Sequence, residues 1–244
     1  MQTISTSASA GSLRPVSFCF VHGFGDNQLR FSSLADRIIS KGQSACSIGL
    51  PEFVSGEPAK ALQNRLVEQI AHSFDDVPTG VQRIIVAHSL GGLLSIAHDK
   101  SSQLADRFLL IEPSIRSADL DFFQMLRSLT KGQRIAEFSK LLLSDAGDFP
   151  YDYLDHLRNW TEGNFEAYCD LAIELIPNAK LALEVISNRT LVAYGQNSWG
   201  VDFDPQSLCV GDVTCHKFER SGHWPFVDEM ECFCSLLKEI GDIE

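Results

Sequence analysis

Ser89 and His223 have the types and the setting for nucleophilic catalysis. Ser89 lies in Val81-Gln82-Arg83-Ile84-Ile85-Val86-Ala87-His88-Ser89-Leu90-Gly91-Gly92. The first half is apolar and β-branched and reads as a buried strand; Leu93-Leu94-Ser95-Ile96-Ala97-His98 reads as a helix. A strand that turns sharply into a helix around a serine is a nucleophile elbow, whose strained turn lifts the hydroxyl clear of the sheet. Strand and helix close on each other there, so small residues are needed two before and two after the serine. Ala87 and Gly91 meet that need. The helix N-terminus behind Ser89 favours negative charge at the site.

A serine hydroxyl is a poor nucleophile until a base takes its proton. His223, in the turn Ser221-Gly222-His223-Trp224-Pro225, comes late in the chain, as the order nucleophile–acid–base requires. His22 and His88 also stand at strand ends. His22 is expected to order its own loop by hydrogen bonding, and His88 to face away from the Ser89 hydroxyl. His72, His98, His156 and His216 have no such setting and read as structural. An oxyanion needs two backbone N–H groups. Leu90, after the serine, and Phe24, in His22-Gly23-Phe24-Gly25, are the candidates.

The elements that must carry these residues follow from apolar periodicity. Strands are expected at 16–21, 45–50, 81–86, 108–113, 190–194 and 213–218, and helices near 29–42, 58–74 and 226–240. Alternation of continuous apolar strands with helices predicts an α/β fold, a mostly parallel sheet of about six strands flanked by helices. Between 114 and 187 no strand is legible. Five helical segments appear there instead, with aromatics that include Phe122, Phe123, Phe138, Phe149, Tyr151, Tyr153, Trp160, Phe165 and Tyr168. An insertion at this point sits over the carboxyl ends of the strands, where some of those rings would line a pocket.

The 244 residues carry a formal net charge of −12, which argues against nucleic acid or an anionic membrane surface as partner. Residues 1–14 read as a flexible leader without the basic start and apolar stretch of a signal peptide. No apolar run reaches membrane-spanning length, so a cytoplasmic protein is expected. The seven cysteines are scattered without a CxxC pair, which disfavours a zinc site or disulfide framework and suggests buried free thiols.

The His22-Gly23-Phe24-Gly25 loop, the Ala87-His88-Ser89-Leu90-Gly91-Gly92 elbow and the Ser221-Gly222-His223 turn, in this order, resemble the α/β-hydrolase superfamily. The resemblance implies a core at 15–113 and 188–244 and a helical cap at 114–187, inserted after the sixth strand of the family's plan. This chain begins at the family's third strand. It also implies a serine hydrolase that cleaves an ester, thioester, lactone or amide of a small apolar molecule through an acyl-enzyme at Ser89. No metal or organic cofactor is implied. Homo-oligomerisation stays open, as do a cyclase, lyase or acyltransferase chemistry in the same site and a ligand receptor with little turnover.

The acid departs from the family's pattern. Its usual place, three residues past the glycine after the seventh strand, holds Ser198 here. Two carboxylates remain: Glu112, at the end of the sixth strand, where haloalkane dehalogenases among the relatives carry a glutamate, and Asp202, further along the loop. Glu112 is favoured because a strand end is a rigid mount; Asp204, before Pro205, is the weakest choice.

Overall fold

A computed structural model describes residues 15–144, 152–198 and 210–242. The expected leader at 1–14, Phe149, Tyr151, Asp202 and Asp204 lie outside the described residues. Six strands build one sheet: β1 (Val16–Val21), β2 (Ser44–Ile48), β3 (Gln82–His88), β4 (Arg107–Ile111), β5 (Thr190–Gly195) and β6 (Thr214–Phe218). Their order is β2-β1-β3-β4-β5-β6, and every pairing is parallel. Parallel pairing requires crossovers, supplied by α1 (Ser32–Ile39), α2 (Lys60–His72) and α3 (Leu90–Ile96) with the short α4 (Ser101–Leu104). The central strands are covered on both faces: Phe18, Phe20, Ile84, Val86, Leu109 and Ile111 are buried, as are their neighbours on the opposite face. β2, at the edge, is only half-buried.

Between β4 and β5 the chain forms α5 (Ser117–Ser128), α6 (Lys131–Ser144), α7 (Tyr153–Asn159), α8 (Glu162–Leu175) and α9 (Ala179–Val185). This insertion, helical among its described residues, has its own anchor in Arg134, whose side chain is buried and donates to the Leu126 carbonyl (2.7 Å) and to Glu162 (2.6 Å). It is also pinned to the loop after β2. Tyr168 donates to the Pro51 carbonyl at 2.6 Å, and Asn164 accepts from the Phe53 amide at 2.7 Å.

The single helix expected at 226–240 is two: α10 (Pro225–Asp228) and α11 (Met230–Gly241). Glu229 leaves helical geometry (φ −126°, ψ 51°), and its carboxylate turns back to accept from the Arg220 amide (2.8 Å) and the Ser221 hydroxyl (3.0 Å). These two bonds outweigh continuation of the helix. The thiols meet the expected burial only in part: Cys19 and Cys169 are buried, Cys46, Cys215 and Cys234 are half-buried, Cys232 is exposed, and Cys209 lies outside the described residues. Cys232 sits on the outer face of the amphipathic α11, which buries Phe233, Leu236 and Leu237.

Candidate active site

The site is built at the carboxyl ends of β1, β3, β4 and β6. In the ladder between β3 and β4, His88 pairs with Ile111, and the next residues, Ser89 and Glu112, continue the sheet's hydrogen bonding for one more step. The Ser89 amide donates to the Ile111 carbonyl (2.8 Å), and the Glu112 amide donates to the Ala193 carbonyl (2.9 Å). Both residues then leave the strand with positive φ, 52° and 46°. For non-glycine residues such a conformation costs roughly 1–3 kcal/mol and persists only where the surroundings enforce it. At Ser89 the enforcement is close packing: a Cβ on Gly91 would collide with the His22 carbonyl. The elbow therefore closes directly onto the β1 loop.

His22 and His88 hold loops. The His22 Nε2 accepts from the Leu50 amide (3.0 Å), which leaves Nδ1 to donate to the Gly23 carbonyl (2.8 Å). Burial lowers its pKa, in keeping with this neutral tautomer. His88 Nε2 donates to the His223 carbonyl at 2.9 Å. Burial, reinforced by the neighbouring His223, holds His88 well below the usual histidine range. His88 thus fixes the backbone of the histidine turn. Below that turn, Glu229 holds Ser221, and Asp228 accepts from the Gly222 amide at 2.8 Å. Gly195 packs against the carbonyls of Ser221 and Gly222 too closely for any side chain.

Glu112 Oε1 accepts from the Gly195 amide at 2.7 Å, which swings Oε2 to 3.8 Å from His223 Nδ1. That separation is an ion-pair distance rather than a hydrogen bond. Burial pushes the Glu112 carboxyl up to about 7, against the opposing pull of the Arg116 charge, the Gly195 amide and the Ser198 hydroxyl. Burial, helped by Arg116, pushes His223 down to about 3. Desolvation thus favours the neutral form of both partners in the free protein.

Phe24, a candidate oxyanion donor, lines the cavity beside Ser89, and Leu90, the other, is the first residue of α3. Among the described residues neither amide donates a hydrogen bond within the protein. Phe24 is further fixed by Tyr153 of α7, whose buried hydroxyl donates to the Phe24 carbonyl at 2.8 Å. The Phe24 ring packs on Phe123, Phe138, Trp160 and Phe165, with centroids 4.9–5.6 Å away. The loop is thereby locked to the helical insertion. Asp26 and Arg30 (2.7 Å) and Arg30 and Asp152 (2.9 Å) form a second tie between the two.

Ser89, His223, Gly23 and Phe24 open into one cavity of about 110 Å³. Phe122, Phe123, Phe138, Tyr153 and Trp224 give it aromatic walls, while Asp26, Ser114, Arg116 and Asp119 place polar groups in it. Arg116 donates to Asp119 through Nε (3.1 Å) and Nη2 (2.9 Å). A site that admits one water needs roughly 10–15 Å³ by this measure, so the space suits a small organic group. Ser114, Arg116, Asp228 and Glu229 escape sequence reasoning, whereas Tyr153 is one of the aromatics expected to line a pocket. Ser114 and Arg116 follow Glu112 in a loop without any motif, and the only signal was their nearness to a strand end. Among the described residues, no group of three or more His, Cys, Asp or Glu side chains could hold a metal ion. No described helix is long and apolar enough to cross a membrane.

A model of the Alpha/beta hydrolase family matches residues 20–231. No curated protein matches the chain. Among solved structures, MenH from S. aureus superposes with a TM-score of 0.68 at 14% identity, covering 92% of each chain. An esterase from Exiguobacterium antarcticum gives 0.69 at 17% identity, over 93% of this chain and 92% of that one. A structure from Nitrososphaera gargenis, described as part of work on carboxylesterases, gives 0.65 at 16% identity over 95% and 93%. At these identities the likeness is one of fold.

Proposed function

The chain belongs to the alpha/beta hydrolase family, and from that premise we propose that it is a serine hydrolase acting through an acyl-enzyme at Ser89. Its substrate is an ester, thioester, lactone or amide of a small, mainly apolar molecule. His223 takes the Ser89 proton as Oγ attacks the substrate carbonyl carbon. The amides of Phe24 and Leu90 hold the oxyanion, and the leaving group departs with the proton from His223. Water then attacks the acyl-enzyme carbonyl, giving a proton to His223, which returns it to Ser89 Oγ as the C–O bond breaks and the acid leaves. Glu112, rather than Asp202, supports the imidazolium as it forms.

The observation that carries this reading is the strained Ser89 elbow opening into the same cavity as His223, with Glu112 3.8 Å behind the imidazole. The small aromatic cavity favours short acyl groups. The net charge of −12 argues against nucleic acid or an anionic membrane as the target. A fluorophosphonate probe tests the core of the proposal: wild type is labelled and Ser89→Ala is not. Absence of labelling in pure, folded wild type overturns it. A series of p-nitrophenyl esters of increasing chain length then separates turnover from mere reactivity, with the shortest expected to be cleaved fastest.

A further inference from the structure

We infer that Ser114 is a further catalytic residue of this site, its hydroxyl donating a hydrogen bond to Ser89 Oγ as that oxygen gains negative charge. The inference rests on the proposed acyl-enzyme reaction. The two hydroxyl oxygens are 3.3 Å apart, and Ser114 is buried and lines the same cavity. The Ser114 amide also donates to the Ser89 carbonyl at 3.2 Å, so backbone and side chain grip the nucleophile together. Pro113, with its fixed φ, and the bond from the Ile115 amide to the Pro113 carbonyl (2.9 Å) hold this turn. One loop thus delivers Glu112 toward the base and Ser114 toward the nucleophile.

In the resting protein either hydroxyl can donate. Once His223 has taken the Ser89 proton, only Ser114 has a hydrogen to give. Ser114 keeps that proton throughout, and no bond to it forms or breaks. The donation lowers the cost of charge on Oγ twice: when the oxygen attacks, and when it departs as the acyl-enzyme is hydrolysed. A separation of 3.3 Å is long for two hydroxyls, but catalytic hydrogen bonds in a free enzyme tighten as charge develops.

The test is the second-order rate of fluorophosphonate labelling for wild type, Ser114→Ala and Ser114→Thr across pH, with melting temperatures alongside. Ser114→Ala is expected to label about tenfold more slowly, equivalent to ~1.4 kcal/mol. Its melting temperature and the pH midpoint of its labelling should stay unchanged, because Glu112 and His223 are untouched. On a p-nitrophenyl ester, kcat should fall while KM holds. Ser114→Thr, which keeps a hydroxyl, should recover most of the rate. If Ser114→Ala does not fold, Ser114→Cys, close in size but a weak donor, replaces it with the same expectation. Labelling of folded Ser114→Ala within twofold of wild type overturns the inference while leaving the acyl-enzyme reading intact. A shifted pH midpoint, or failure of Ser114→Thr to recover, also overturns it by assigning the loss to a displaced loop. Absence of labelling in wild type overturns the acyl-enzyme reading itself.

Discussion

The turns that end β3 and β4 lie side by side, one rung beyond the His88–Ile111 pair, and each carries a non-glycine residue at positive φ. Their continuations differ. After Ser89 the chain enters α3 at once, so the hydroxyl stands at a helix N-terminus and faces the cavity. After Glu112 comes Pro113, and α5 begins only at Ser117. The carboxylate instead turns sideways under the Gly195 amide toward His223. The same backbone step therefore presents a nucleophile where a helix succeeds it, and buries a carboxyl where a loop does. The helix end favours negative charge at Ser89. Glu112 has no helix end behind it, and its desolvation leaves the carboxyl at about 7.

The largest test of this contrast is removal of the two side chains. Ser89→Ala should abolish labelling and lower kcat on a p-nitrophenyl ester by about 10⁴-fold or more. Glu112→Gln keeps the shape and the bond to Gly195 but not the charge, and is expected to lower kcat by about 10³-fold. Activity near wild type would reduce the second turn to scaffolding and transfer the acid's role to Asp202.

Next in size is the response to pH. A buried carboxyl raised to about 7 is protonated below that value and cannot support an imidazolium. The labelling rate should therefore be high above pH ~7 and fall as pH drops through it, with the apparent pKa belonging to the Glu112–His223 pair. A flat rate down to about pH 5 would show that solvent or substrate relieves the burial, erasing the electrostatic difference between the turns. The smallest effect should come from Tyr153→Phe, which leaves both turns untouched. It deprives the Phe24 carbonyl of its buried donor, so about 1–3 kcal/mol of stability should be lost in denaturant titration. Labelling should slow only a few-fold. A loss as large as that of Glu112→Gln would mean that the insertion governs the site more than the strand ends do.

The central strands were legible because they are buried on both faces and so read as unbroken apolar runs, whereas the half-buried edge strands β2 and β6 carry a weaker apolar signal. β1 falls where that pattern put it, and Ser89 and His223 are brought together at strand ends because the elbow and the Ser-Gly-His turn both need small neighbours. Glu112 stood only as one of two choices, since its turn has no glycine to mark the positive φ. The break at Glu229 was illegible because apolar spacing runs on through Phe226, Phe233 and Leu237, while the cause is a bond to Arg220 and Ser221 made across the fold. Ser114 was hidden for the same reason: its partner, Ser89, is 25 residues away.

The bond between His88 and the His223 carbonyl joins positions 135 residues apart, and every parallel pairing in the sheet is likewise non-local. High contact order of this kind makes folding slow, because loop-closure entropy is lost before the contacts form. Ser89 and its elbow come from the first half of the chain, and His223 from its last tenth. A chain emerging during synthesis would hold its serine long before its histidine, and the constellation would assemble only when the C-terminal strand docks. Fluorophosphonate reactivity would then serve as a clock for the final step of folding as well as a measure of catalysis.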